Sequence, residues 1–294
     1  MIRFITVLLL WLAVPPGMVG AEENPDPLHS KPLNEIRVMA DADHAEAMAS
    51  LGMRHWAGQG VEKSKEKGFE WTLRAAQAGH PRSMNAAGVC YANGYGAAPD
   101  AKAAIEWYQK AADAGYKSAY FNLGKAYLNG FGVGQNNSKG AEWMRLSAET
   151  GDVESQNLMA TIYMQGRGVL ANPKEAFQWY KKAAEQGHAG SQNDLGLLYM
   201  AGKAVTADGS QAVLWLEKAA AQGNNNAMAN LGILYEEGKL VPKNQILALK
   251  WFVQSGLKGD MQSREDAALL KQTMKAEDVQ KALELAGAVS PKPD

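Results

Sequence analysis

A tryptophan returns every 36 residues, six times in phase: Trp71, Trp107, Trp143, Trp179, Trp215 and Trp251. No insertion breaks the beat. At the same shift Tyr91, Tyr127, Tyr163, Tyr199 and Tyr235 align, with His55 in the first copy. Three residues earlier lie Gly52, Gly88, Gly124, Ala160, Gly196 and Gly232; three later lie Gly58, Gly94, Gly130, Gly166, Gly202 and Gly238. A closing column reads Gly79, Gly115, Gly151, Gly187, Gly223 and Gly259. Self-similarity at such a period marks an array of small supersecondary units, each unable to bury its apolar face alone.

Each unit reads as two helices. The first carries Ala-x-x-x-Leu-Gly-x-x-Tyr, as in Ala119, Leu123, Gly124 and Tyr127, and spacings of three and four place these on one face. Glycine inside a helix costs about 1 kcal/mol, so its return implies close packing of a neighbour. A pair such as Gly58 and Gly60 stops the first helix, since glycine accepts positive φ at a C-terminus. The second helix opens at Ser64, Asp100, Asn136, Asn172, Asp208 and Asn244, every one a good N-cap. The predicted fold is therefore an all-α solenoid of helix pairs, residues 44–259, with residues 33–43 as an N-terminal capping half-repeat and 260–287 as C-terminal capping helices.

Residues 1–21 read as a cleavable signal peptide. Arg3 precedes the apolar run Phe4 to Val14, Pro15 and Pro16 end it, and Val19-Gly20-Ala21 suits cleavage after Ala21. The run is about half the roughly 20 residues a membrane helix needs, and no later segment of the mature chain could span. Residues 22–32, with Pro25, Pro27 and Pro32, read as a linker, and 288–294 as a disordered tail. The expectation is a periplasmic or secreted protein. Lys and Arg number 30 against 31 Asp and Glu, which gives no support to nucleic-acid binding. Cys90 is the sole cysteine, so no intrachain disulfide and no multi-thiolate zinc site can form.

Motifs for chemistry are scarce. Ser64-x-x-Lys67 matches the first signature of serine β-lactamases, but the Ser-Asp-Asn and Lys-Thr-Gly companions are absent, and Ser64 stands in the N-cap column. Gly94-x-Gly96 lies between helices, not after a strand, so the dinucleotide fingerprint fails. His80 and His188 share a column with Asp152, Asn224 and Asp260, a capping position. No histidine pair has ligand spacing. No catalytic residue, cofactor or metal is expected.

The run Ala-x-x-x-Leu-Gly-x-x-Tyr-x-x-Gly-x-Gly-Val, an N-cap, then Ala-x-x-Trp-Tyr-x-x-Ala-Ala-x-x-Gly resembles the Sel1-like repeat, a relative of the tetratricopeptide repeat; residues 104–115 and 176–187 follow it closely. The resemblance implies a right-handed α/α superhelix whose first helices line a concave side, and a role as an adaptor between proteins. Some Sel1-like proteins rich in paired cysteines are linked to penicillin binding and weak β-lactamase activity; with Cys90 alone, this chain departs from them.

On that geometry the first-helix columns outside the packing face should line the groove. One holds Asn85, Phe121, Asn157 and Asn193, the next Asn122, Asp194 and Asn230. An amide offers both a donor and an acceptor to an extended peptide. The competing reading is that these amides bridge neighbouring helices. Arg82 and Lys125 are the bases placed to join them. Trp56, Leu128, Met164 and Met200 lie one turn on, and suit the core better than a ligand. The function expected is an exported, non-catalytic protein or peptide scaffold. A penicillin-binding enzyme and an envelope polysaccharide or peptidoglycan binder are the alternatives.

Overall fold

The computed structural model describes residues 28–288. The signal peptide expected at 1–21, most of the linker and nearly all of the C-terminal tail lie outside the described residues. Among those described, fifteen α-helices and no strand occur, as the repeat pattern requires. The described residues divide into two compact units: 28–155 with 167–169, and 156–166 with 170–288.

In the first unit α1 (Leu33–Asp41) precedes three helix pairs: α2 (Ala45–Ala57) with α3 (Lys65–Gln77), α4 (Pro81–Asn93) with α5 (Ala101–Asp113), and α6 (Ser118–Asn129) with α7 (Asn137–Glu149). Helix α8 (Val153–Gln165) begins at the end of this unit and runs into the second. The second unit continues with α9 (Pro173–Glu185), then α10 (Ala189–Ala201) with α11 (Gly209–Ala221), and α12 (Asn225–Glu237) with α13 (Gln245–Leu257). It ends with α14 (Met261–Thr273) and α15 (Ala276–Leu285).

One set of backbone bonds recurs in all six copies. The N–H of the second-helix N-cap donates to the carbonyl of the tyrosine column: Ser64 to His55 at 3.1 Å, Asp100 to Tyr91 at 2.9 Å, Asn136 to Tyr127 at 2.8 Å. Asn172 to Tyr163, Asp208 to Tyr199 and Asn244 to Tyr235 complete it at 2.9, 3.1 and 2.9 Å. Each cap side chain also accepts a first-turn N–H, with the oxygen of Ser64 meeting Lys67 and that of Asp100 meeting Ala103. A cap of this kind contributes about 1 kcal/mol to its helix. The first helices stop where Gly58 and Gly94 turn left-handed at φ 74° and 72°, a conformation that costs glycine little.

The core forms between and within the pairs. Trp56, Val89, Cys90, Ile105, Tyr108 and Leu123 pack into one cluster of the first unit, and Leu216, Met228, Leu231 and Trp251 into one of the second. The helix-interior glycines serve close approach: a Cβ on Gly88 would fall 2.5 Å from the Tyr108 ring. Cys90 is a small core residue, and burial pushes its thiol up to about 12, far from a reactive thiolate. At the N-terminal end Leu28, Ile36 and Ala40 cover α2, and the Arg54 guanidinium ties residues 28–31 down through the carbonyls of Leu28, His29 and Lys31. At the other end α14 and α15 bring Ala267, Leu270 and Ala282 over Leu249 and Phe252.

Candidate partner-binding face

The asparagine columns fall on the first helices, as the sequence places them, and the structure joins them into bridges. In the first unit Asn122 on α6 donates Nδ2 to Asn85 Oδ1 on α4 at 2.9 Å. In the second unit Asn230 on α12 donates to Asn193 on α10 at the same distance. Asn85 and Asn193 are 1% and 6% exposed, so they sit beneath the following first helix instead of lining an open groove. Their amides serve the stack first. Phe121, Asn122, Asn157, Asp194 and Asn230 keep part of their surface open. Lys125 holds its ammonium 5.2 Å from the Phe121 ring centre.

Asp194 occupies the column that holds the donating amides Asn122 and Asn230, and a carboxylate cannot donate. Asn157, the acceptor that would face it, is met by Ser191 Oγ at 2.9 Å. Asp194 accepts from Asn193 Nδ2 at 3.1 Å and is hydrogen-bonded to the Tyr180 hydroxyl, which lies 3.2 Å from Thr161 Oγ1. Burial holds the Asp194 carboxyl above the ordinary carboxylate range, offset in part by the Asn193 amide, by His188 and by Tyr180. Burial also raises the Tyr180 hydroxyl.

The four apolar residues one turn further divide. Trp56 and Leu128 are core, each seated over a second-helix glycine, Gly68 and Gly140. Met164 is 41% exposed and Met200 half-buried. A column that sequence reasoning passed over stands beside them: Leu197 on α10, Ile233 on α12 and Leu269 on α14 are 37%, 39% and 62% exposed. In the first unit the same column holds half-buried Met53, buried Val89 and charged Lys125, and on α8 it holds Thr161. The signal for this row was an apolar residue four after the asparagine column, which periodicity alone reads as core.

The remaining motifs are structural. Ser64 Oγ accepts from Lys67 N and donates to Glu66 Oε2 at 2.9 Å, the arrangement of a cap. His80 and His188 cap α4 and α10, each accepting at Nδ1 from a serine N–H, Ser83 and Ser191. Among the described residues no group of three or more His, Cys, Asp or Glu could hold a metal ion, and no helix is long and apolar enough to cross a membrane. Cations lie over five of the six column tryptophans of the second helices: Arg74 on Trp71 at 4.3 Å, Lys110 on Trp107 at 4.2 Å, Lys182 on Trp179 at 4.0 Å, Lys218 on Trp215 at 4.1 Å and Lys250 on Trp251 at 3.9 Å.

Six stretches, 45–80, 81–116, 117–152, 153–188, 189–224 and 225–260, match the Sel1 repeat. Among solved structures the chain is similar to a protective antigen present in uropathogenic Escherichia coli strains that displays an SLR fold, at 30% identity and a TM-score of 0.79. That match covers 86% of this chain but 55% of the antigen, so the chain spans little more than half its relative's length. A Sel1 repeat protein from Oxalobacter formigenes is 29% identical with a TM-score of 0.62, covering 77% of this chain and all of that one. No curated protein matches the sequence.

Proposed function

The chain belongs to the Sel1 repeat family, and on that premise we propose that it is an exported, non-catalytic scaffold that holds a protein or peptide partner on the open face of its first helices. One observation carries the reading. The framework repeats almost without change, through the same caps and the same N-cap to tyrosine-column bond in every copy. The partly open first-helix positions vary, from Phe121 to Asn157 in one column and from Lys125 to Thr161 to Leu197 to Ile233 in another. A constant frame with a varied face is what a preformed recognition surface requires, because little is ordered on binding.

Phe121, Asn122, Asn157, Asp194 and Asn230 are the residues that would meet the partner, and Asn85 and Asn193 would hold two of these amides in place. Export rests on the composition of residues 1–21. A glycan-binding role is disfavoured by the tryptophans: sugars stack on open aromatic faces, and here a side-chain cation lies over one face of five of the six in the repeat column. An enzyme of the penicillin-binding kind would need the Ser64 hydroxyl for attack, and that oxygen is spent on its helix.

The test is site-specific photo-crosslinking in cells. A crosslinking residue at Phe121 or Asn122 should give discrete protein adducts, whereas one at Glu106 on the second-helix face should not. Equal adducts from both sites, or retention of the pure protein on peptidoglycan, would overturn the reading; hydrolysis of nitrocefin would overturn the non-catalytic part of it.

A further inference from the structure

We infer that the exposed row Met164, Leu197, Ile233 and Leu269 in the second unit docks an amphipathic peptide segment that carries basic residues beside its apolar face. The inference rests on the scaffold reading above and names the chemistry of the partner. Three observations meet on this row.

The side chains are aliphatic or thioether, 37–62% exposed, and stand on successive first helices. The Asn230 to Asn193 bridge holds α12 against α10, with Ile233 and Leu197 one turn beyond it. Contiguous exposed apolar groups are uncommon on a finished surface and mark contact sites. Methionine beside leucine and isoleucine suits an irregular apolar partner, since its chain is unbranched and polarizable.

Acidic groups outnumber basic ones on these helices, though Glu237 is paired with Lys239 Nζ at 3.2 Å. Residues 156–165 of α8 carry no charged side chain, α10 carries Asp194, and α12 carries Glu236 and Glu237. On α14 Glu265 and Asp266 flank Leu269. The bases on these helices are Arg264, whose Nε donates to the Gly256 carbonyl at 2.7 Å, and Lys271 near the end of α14. A segment presenting lysine or arginine beside an apolar stripe complements this face; an acidic one is repelled.

The confinement is informative. At the first-unit positions equivalent to Leu197 and Ile233, Met53 is half-buried, Val89 buried and Lys125 reaches over Phe121, and at those equivalent to Met164, which stands one column over, Trp56 and Leu128 are buried. The row is therefore not a by-product of the repeat, since the repeat does without it elsewhere. Neighbouring helices pack at about 8–10 Å, so three or four of them span about the length of an 18-residue helix, roughly 27 Å.

The test uses the full chain and three synthetic 18-residue peptides with one Leu/Met face and a polar face of Lys, Glu or Gln. Fluorescence anisotropy should show the Lys peptide binding at least about tenfold more tightly than the Glu peptide, with the preference shrinking at high salt. Leu197→Ser with Ile233→Ser should remove at least about tenfold of that affinity, while Val38→Ser on α1 should not. Circular dichroism of each variant shows whether it is folded. Equal binding of the three peptides, preference for the Glu peptide, no binding at all, or binding that survives the double substitution would overturn the inference. The scaffold reading is decided separately, by the crosslinking at Phe121 and Asn122.

Discussion

Asn122 and Asn85 stand 37 residues apart and meet amide to amide at 2.9 Å. Asn230 and Asn193 repeat the contact at the same separation and distance. One member of each pair is buried and accepts; the other is partly open and donates. A buried amide tolerates neither a shift in register nor an apolar replacement opposite it, so each pair fixes how one first helix sits on the next.

Asn85→Ala should lower the thermal midpoint and cost about 1–2 kcal/mol, the range for losing a buried hydrogen bond. Asn122→Ala should cost less, since its site is part-open to water. Combined, the two should fall short of the sum of their separate costs by about 0.5 kcal/mol or more, as contacting residues do. Denaturant melts of the four proteins give the cycle. A strictly additive result would show that the 2.9 Å contact contributes nothing.

Asp194 stands in the column where Asn122 and Asn230 donate, and it gives the molecule a pH dependence of unusual sign. Its carboxyl is raised above its ordinary 3.8, first by burial. Between that value and the raised one, the folded state holds more protons than the unfolded state. Stability contributed by this group is therefore lost as pH rises through the window, and the penalty is constant above it. Asp194→Asn should remove that slope. At neutral pH it should melt higher than the native chain, and it restores the donor that would face Asn157. Melting curves followed upward from about pH 3.5, near the ordinary value of the group, check this: parallel profiles for the two proteins would refute it.

Asn172 carries two first-turn N–H groups of α9, from Lys174 at 3.2 Å and Glu175 at 3.3 Å. Asn172→Ala should cost about 1 kcal/mol and Asn172→Asp almost nothing, because Asp caps equally well in the other copies. The melting midpoints of the two variants, compared with the native chain, decide it.

The caps, the closing glycines and the helix pairs were legible because each depends on residues within one copy, and six copies repeat the same message. His80 and His188 could be placed as caps from Asp152 and Asn224 alone. The face was legible only in part. Which neighbour Asn85 meets depends on the offset between stacked copies, and the partner is 37 residues away, one more than the repeat. Val89 and Leu197 share a column, yet one is buried and the other open. That difference arises from what the surrounding helices place over each, which no periodicity contains.

Leu128 and Gly140 show a size relation that the sequence did contain. A Cβ on Gly140 would fall 2.7 Å from Leu128 Cγ, closer than packed carbons tolerate. Trp56 sits likewise over Gly68, whereas the second copy sets Ala92 against Ala104, small against small. Gly140→Ala on its own gains about 1 kcal/mol of helix propensity and loses about 1–3 kcal/mol to overpacking. It should therefore be neutral to destabilising by about 2 kcal/mol. Leu128→Ala alone should cost about 2–5 kcal/mol through its cavity. In that shortened background the side-chain clash is gone but the Leu128 backbone N still stands 2.9 Å from the added Cβ, so Gly140→Ala should cost less than in the native chain without becoming stabilising. The drop in cost between the two backgrounds separates packing against the Leu128 side chain from the close approach of the Leu128 backbone at Gly140. A Gly140→Ala change that destabilises equally in both would show that the Leu128 side chain is not what requires the glycine.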